Sequence, residues 1–220
     1  ALPDINPNEA NTIARKSMQS LCRSFFDVIK IPYLNQQWIQ KNVVFEGLEN
    51  FKKVDTQDGV LFLTLHLGSG DLGAAVISES ILPCTLISKR FRNKFLDSFW
   101  FSLRGRSKTE FIDAHAKSNA FEILGALKKK RGVIFVLDQF MGKPYGVETE
   151  FFGVKTGTAY GLALFAKKTK HPVVPIYTYW NSGKLHVCFG DSIDLQSELS
   201  ETNEVITNKF NRVLEGIIRK

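Results

Sequence analysis

The stretch Gly59 to Ile77, GVLFLTLHLGSGDLGAAVI, constrains this chain more than any other. Val60 to Leu65 is a continuous apolar run, which suits a strand covered on both faces, as in a parallel sheet. Leu-Gly-Ser-Gly follows His66, and Gly68 and Gly70 permit backbone angles that other residues resist. After Asp71 the small apolar residues read as a helix. The expectation is a buried strand, a glycine loop and a helix, with His66 and Asp71 where strand gives way to helix. In an open α/β sheet that edge is the usual place for a site.

The spacing His66-x4-Asp71 lets the aspartate fold back toward the imidazole after the turn. A carboxylate on one ring nitrogen fixes the tautomer and supports the imidazolium that forms when the other nitrogen takes a proton. The pair would be a base without a protein nucleophile, so the nucleophile would be a substrate hydroxyl. Ser69 is no substitute, because Leu67-Gly68-Ser69-Gly70 is not the G-x-S-x-G elbow. The plainer reading is that Asp71 caps the helix.

Other bounds come from the whole chain. Its 220 residues suffice for one domain with a full core. Cys22, Cys84 and Cys188 have no metal-ligand spacing and point to buried thiols in a reducing compartment. The formal net charge of +7 favours anionic partners: phosphate, an anionic membrane or an acidic protein. No stretch approaches the roughly 20 apolar residues of a membrane span, and no signal peptide is recognisable.

In order, residues 1 to 8 read as loose and Asn8 to about Lys30 as a helix ended or bent by Pro32. Its apolar residues, among them Phe25, Phe26, Val28 and Ile29, are expected to face the core rather than lipid. Leu82 to Ser88 reads as a strand. Residues 89 to 106, KRFRNKFLDSFWFSLRGR, mix cations with aromatics whose spacing suits a helix packing inward. No nucleic-acid-binding module is recognisable, so nucleic acid is not expected as a partner. The alternatives for this segment are a solvated helix face, or an anion pocket with a membrane-facing rim. Ala120 to Lys130 reads as a helix and Gly132 to Leu137 as a second buried strand ending at Asp138-Gln139. The segment 140–161 reads as a loop, with Thr156 and Thr158 opening a helix over Tyr160 to Lys168. Val173 to Tyr177 and Leu185 to Phe189 read as strands, His171 as a turn residue, His186 as lying on a strand face, and Glu204 to Lys220 as a closing helix.

His66-x4-Asp71 resembles the H-x4-D/E motif of the lysophospholipid/glycerolipid acyltransferase superfamily, closest to the bacterial lipid A biosynthesis (lauroyl/myristoyl) acyltransferases. Further residues carry the likeness: the EGLE element within 42–51, Lys89-Arg90 and Asn93 in place of a Y-R-P-x-x-N motif, Arg104-Gly105-Arg106, Asp138-Gln139, Phe151-Phe152-Gly153, Thr156-Gly157-Thr158-Ala159, and PVVPIY. The family arginine is replaced here by Lys89, with Arg90 beside it, and a lysine keeps the charge but loses the bidentate fork.

The resemblance implies an α/β fold, a mostly parallel central sheet with helices on both sides, as one acyltransferase domain over 1–220 with 1–41 an N-terminal helical segment. It implies His66 as base, Asp71 as its orienting carboxylate, and substrate contacts from Lys89, Arg90, Asn93, Arg104, Asp138, Gln139, Phe152, Gly153, Thr156 and Thr158. The reaction it implies moves an acyl group from a thioester of acyl carrier protein or coenzyme A to a hydroxyl of a lipid A precursor or related lipid, with no metal and no other cofactor. It also implies a protein of the cytoplasmic face of the inner membrane, drawn to anionic lipid and held by an anchor upstream of the residues present. The rival readings are a non-catalytic lipid-binding domain of the same fold and a thioesterase or esterase.

Overall fold

The structure is a computed structural model, and it describes residues 5–219. A seven-stranded sheet runs in the order β1-β9-β8-β2-β5-β3-β4. Its strands are β1 (Val43–Glu46), β2 (Val60–Thr64), β3 (Cys84–Ser88), β4 (Glu110–Asp113), β5 (Gly132–Val136), β8 (Val173–Asn181) and β9 (Lys184–Phe189). Only the β8–β9 pairing is antiparallel. Between β5 and β8 the chain forms a separate hairpin of β6 (Gly146–Phe151) and β7 (Val154–Ala159). The expected α/β architecture is present. β4 and the hairpin are additions to it.

β2 explains why the sheet is covered on both sides. Val60 and Phe62 point into one core, while Leu61, Leu63 and Leu65 point into the other. The first core is closed by α4 (Gly70–Ser80), by Val28 and Ile31 of the 3₁₀ segment after α1 (Pro7–Asp27), and by Trp100 and Leu103 of α5 (Lys94–Arg104). The second is closed by α6 (Asn119–Lys128), α7 (Gly161–Thr169) and α8 (Asn203–Ile218). Alternation of side chains across the pleat feeds both layers from one apolar run. Two short helices, α2 (Gln36–Asn42) and α3 (Leu48–Phe51), flank β1.

The N-terminal expectations need correction in two respects. Residues 1–4 lie outside the described residues, as does Lys220, but 7 and 8 are helical: Asn6 caps α1 by accepting from the Glu9 amide at 2.9 Å, and Pro7 occupies the first turn. Ile13, Leu21, Phe25, Phe26 and Ile29 also do not pack inward as expected. They are exposed, and of the stripe only Val28 joins the core. The same holds for α5, where Phe95, Leu96 and Phe99 face out and Trp100 and Leu103 face in. Phe25 meets Trp100 at 5.3 Å between ring centroids, so the end of α1 lies beside α5. No described helix is long and apolar enough to cross a membrane.

The hairpin corrects the reading of 140–161 as a loop. Phe151 pairs with Val154 across Phe152 and Gly153, whose φ angles of 52° and 74° are those of a two-residue turn of primed type. Gly153 meets that demand at no steric cost, while Phe152 does not. The tip docks on α8, where the Phe152 amide donates to Glu215 Oε1 at 2.6 Å and Arg219 lies over the Phe152 ring.

Candidate active site

Strand register builds the site. β2 and β5 are parallel neighbours with Thr64 opposite Val136, so the residues two positions beyond each strand end also lie side by side. Those residues are His66 and Asp138. Asp138 Oδ1 lies 2.7 Å from His66 Nδ1, and Asp138 Oδ2 accepts from the His66 amide at 2.8 Å. The carboxylate therefore grips both ring and backbone. With an acceptor on Nδ1 the proton resides there, which leaves Nε2 as the basic nitrogen. The His66 side chain is 51% exposed, so a substrate can reach it.

The expectation that Asp71 meets the ring is corrected. Asp71 lies in the first turn of α4, and its Oδ1 accepts from Arg104 Nη2 at 2.6 Å. Helical geometry explains the choice: the carboxylate turns toward α5 and β3, where Arg104 also donates to Ser88 Oγ at 3.1 Å and stacks on Phe111 at 4.2 Å. Arg104 therefore faces Asp71 and not open solvent, where a substrate would meet it. Its side chain is 4% exposed and its charge is spent on Asp71.

Electrostatics agree with the geometry. The His66 pKa is raised above its ordinary value, first by the hydrogen bond to Asp138, against desolvation, and then by the charges of Asp138 and Asp71. Asp71 thus acts on the ring through space. Burial pushes the Asp138 carboxyl upward, but the hydrogen bonds and charge of His66 outweigh it and hold it below the usual range. Desolvation lowers the Arg104 pKa, and Asp71 opposes that shift.

The loop between His66 and α4 is held by close contacts. Gly68 has φ of 64°, and a Cβ there would fall 2.2 Å from the Thr178 carbonyl oxygen. Thr178 Oγ1 accepts from the Ser69 amide and donates to the Leu67 carbonyl, both at 3.0 Å. Those partners on β8 were not anticipated from sequence; the strand end expected at Tyr177 stops one residue short of Thr178.

The remaining expected site residues divide. Lys89 is exposed just past β3. Arg90 is engaged by Asp97, at 2.5 Å, and lies over the Phe101 ring. Asn93 is the N-cap of α5, accepting from the Phe95 and Leu96 amides. Gln139 is exposed beside Asp138. Thr156 and Thr158 lie in β7 and do not open a helix. Thr158 is buried against Thr149 and Asn211, at 2.8 and 3.0 Å. Phe152 and Gly153 form the hairpin tip, about 17 Å along the strand from Thr158 at ordinary strand rise, which separates them from the base of the hairpin near Phe140. Among the described residues no group of three or more His, Cys, Asp or Glu could hold a metal.

A carboxylate-fixed histidine stands at the carboxyl edge of a parallel sheet, with its second ring nitrogen open to solvent. Comparison with known proteins gives the class. The model of the bacterial lipid A biosynthesis acyltransferases matches residues 1–220, and the chain belongs to that family. It is 23% identical over 220 residues to the lipid A biosynthesis acyltransferase of Haemophilus influenzae, a match covering 98% of this chain and 67% of that protein. It is 25% identical over 154 residues to the lipid A biosynthesis palmitoleoyltransferase of Escherichia coli, covering 70% of this chain and 49% of that protein. A solved structure, the 1-acyl-sn-glycerophosphate acyltransferase PlsC of Thermotoga maritima, superposes with a TM-score of 0.45 at 17% identity, over 91% of this chain and 88% of that one.

Proposed function

We propose that this acyltransferase moves a fatty acyl group from an acyl thioester to a hydroxyl of a lipid A precursor, with His66 as general base and Asp138 as its orienting carboxylate. The observation that carries the reading is the 2.7 Å contact between His66 Nδ1 and Asp138, with the ring still half exposed. His66 Nε2 takes the proton of the acceptor hydroxyl. Asp138 holds the tautomer and stabilises the imidazolium. The hydroxyl oxygen attacks the thioester carbonyl, the tetrahedral intermediate collapses, and the thiolate leaves with the proton returned from His66. The Ser69 amide is committed to Thr178, so the Gly70 amide at the start of α4 is the better donor for the developing oxyanion.

The donor thioester is that of acyl carrier protein or coenzyme A, and the net charge of +7 suits the anionic character of either. Lys89, exposed beside the edge that carries His66, is the cation for a substrate phosphate. The exposed apolar stripes of α1 and α5, with Arg15, Lys16, Arg92 and Lys94 nearby in sequence, suit a lipid interface of anionic charge, in keeping with the cytoplasmic face of the inner membrane.

The test is mass spectrometry of products from a radiolabel-free mixture of acyl-carrier thioester, coenzyme A thioester and a lipid A precursor. Acylated lipid supports the reading. Free fatty acid alone makes the protein a thioesterase, and no turnover makes it a binding domain.

A further inference from the structure

Asp27, the last residue of α1, is a carboxylate with its side chain 2% exposed, and the chemistry above does not use it. Its Oδ2 accepts from Ser69 Oγ and from Trp180 Nε1, the latter at 2.9 Å. Its Oδ1 accepts from Lys30 Nζ at 2.5 Å, and Arg23 Nε lies 3.9 Å from Oδ2. Trp180 Nε1 also reaches Ser69 Oγ at 2.8 Å, while Arg23 and Lys30 sit over the Trp180 ring at 4.0 and 4.6 Å. Burying a charge is costly unless it is paired and hydrogen-bonded. Here the cations supply the pairing, and two neutral donors complete the shell.

What this carboxylate holds is the loop that bears His66. Ser69 is buried, lies three residues beyond His66 and immediately precedes α4. Asp138 fixes the loop at His66, and Thr178 fixes it at Leu67 and at the Ser69 amide. The Ser69 hydroxyl is a further handle, and Asp27 at the end of α1 takes it. Since α1 otherwise turns an exposed apolar stripe outward, Asp27 is where this peripheral helix enters the catalytic unit.

We propose that Asp27 is a positioning residue for acyl transfer: through Ser69 Oγ it sets the geometry of the loop that presents His66. The proposal rests on the acyl-transfer reading for its kinetics but not for its geometry. A displacement of about 1 Å in a reacting group can cost on the order of 10²-fold, so a loosened loop is expected to act on kcat and not on donor binding.

The experiment compares wild type with Asp27→Ala, Asp27→Asn, Ser69→Ala and Trp180→Phe in steady-state acyl transfer, thermal melting and histidine-ring NMR. Asp27→Ala and Ser69→Ala are expected to lower kcat about 10- to 100-fold, with KM for the acyl thioester within twofold. Asp27→Asn, which keeps an oxygen acceptor for Ser69, is expected to recover most of the loss. The His66 ring signals are expected to shift in both alanine variants while those of His171 stay in place. If Asp27→Ala does not fold, Ser69→Ala, which removes only one hydroxyl, decides the question. Lowered melting temperature with unchanged kcat and unmoved His66 signals makes the cluster merely structural and overturns the proposal. If wild type shows no acyl transfer, that reading fails by itself, and the His66 signals alone then decide whether Asp27 positions the ring.

Discussion

His66 and Asp138 are 72 residues apart in the chain and joined twice in space, ring nitrogen to one carboxylate oxygen at 2.7 Å and backbone amide to the other at 2.8 Å. Such a double grip sets the ring orientation as well as its tautomer. His66→Ala is expected to reduce acyl transfer by about 10²–10⁴-fold, the usual cost of losing a general base, with the melting temperature nearly unchanged because the ring is half exposed. Steady-state kinetics with a parallel thermal melt checks both halves.

Asp71 and Arg104 predict a different phenotype. Removing one partner of a buried ion pair costs about 3–5 kcal/mol. Asp71→Ala strands the guanidinium of Arg104, whose side chain is 4% exposed, and at the low end of that range the melting temperature should fall by about 6–12 °C for a domain of this size. Arg104→Met leaves Asp71, which is partly open to solvent, and fills the space with apolar atoms. Its loss should be smaller. Equal melting temperatures for the two variants would mean that the pair is not a structural brace.

The cations flanking β3 also separate. Lys89 is exposed, whereas Arg90 is held by Asp97 and Phe101. Exposed ion pairs contribute at most about 1 kcal/mol, so Lys89→Glu should raise the apparent KM for a phosphorylated substrate about twofold to fivefold. Arg90→Gln should change it less. The opposite order would assign phosphate to Arg90.

The apolar stripes make a prediction about surfaces. Phe26 on α1 is 70% exposed and Phe95 on α5 is 76% exposed. Full burial of a Phe side chain contributes about 2 kcal/mol, about thirtyfold in partition. Phe26→Ser or Phe95→Ser should therefore weaken co-sedimentation with anionic vesicles while leaving the fold intact, and high salt should weaken it further. Undiminished binding in the double variant would remove the stripes from the interface.

Buried strands were the legible part of this fold. β2 and β5 are covered on both faces, and two-sided burial leaves continuous apolar runs, GVLFLTL and GVIFVL. β4 was not legible because Glu110–Asp113 is a four-residue edge strand with one fully buried side chain. The hairpin was hidden by its turn, which holds Phe152 at positive φ where Asn or Gly would have signalled it. Amphipathic spacing identified α1 and α5 as helices, yet spacing does not say which stripe meets protein.

At the site, local proximity misled. Asp71 is five residues from His66 and bonds elsewhere, because helix α4 directs it toward Arg104. Asp138 was expected as a substrate contact, and its bond to His66 depends on which strand lies beside β2. One signal for it existed: both residues are polar and each stands two positions beyond a buried strand, so pairing β2 with β5 in register brings them together. Asp27 had no such signal, since only packing of α1 against the loop gives it a partner.

The pH dependence of kcat/KM in wild type, Asp138→Asn and Asp71→Asn tests the central pairing most directly. Asp138 raises the His66 pKa, and the base works only as neutral imidazole, so activity in wild type falls as pH drops through that raised value. With Asp138→Asn the acid limb should move to lower pH, and activity on the plateau should drop by about 10²–10⁴-fold as the tautomer is lost. Asp71→Asn, which takes from the ring only a charge acting through space and keeps an oxygen acceptor for Arg104, should move the limb less. A limb that moves with Asp71→Asn and stays in place with Asp138→Asn would contradict the account and return the orienting role to Asp71.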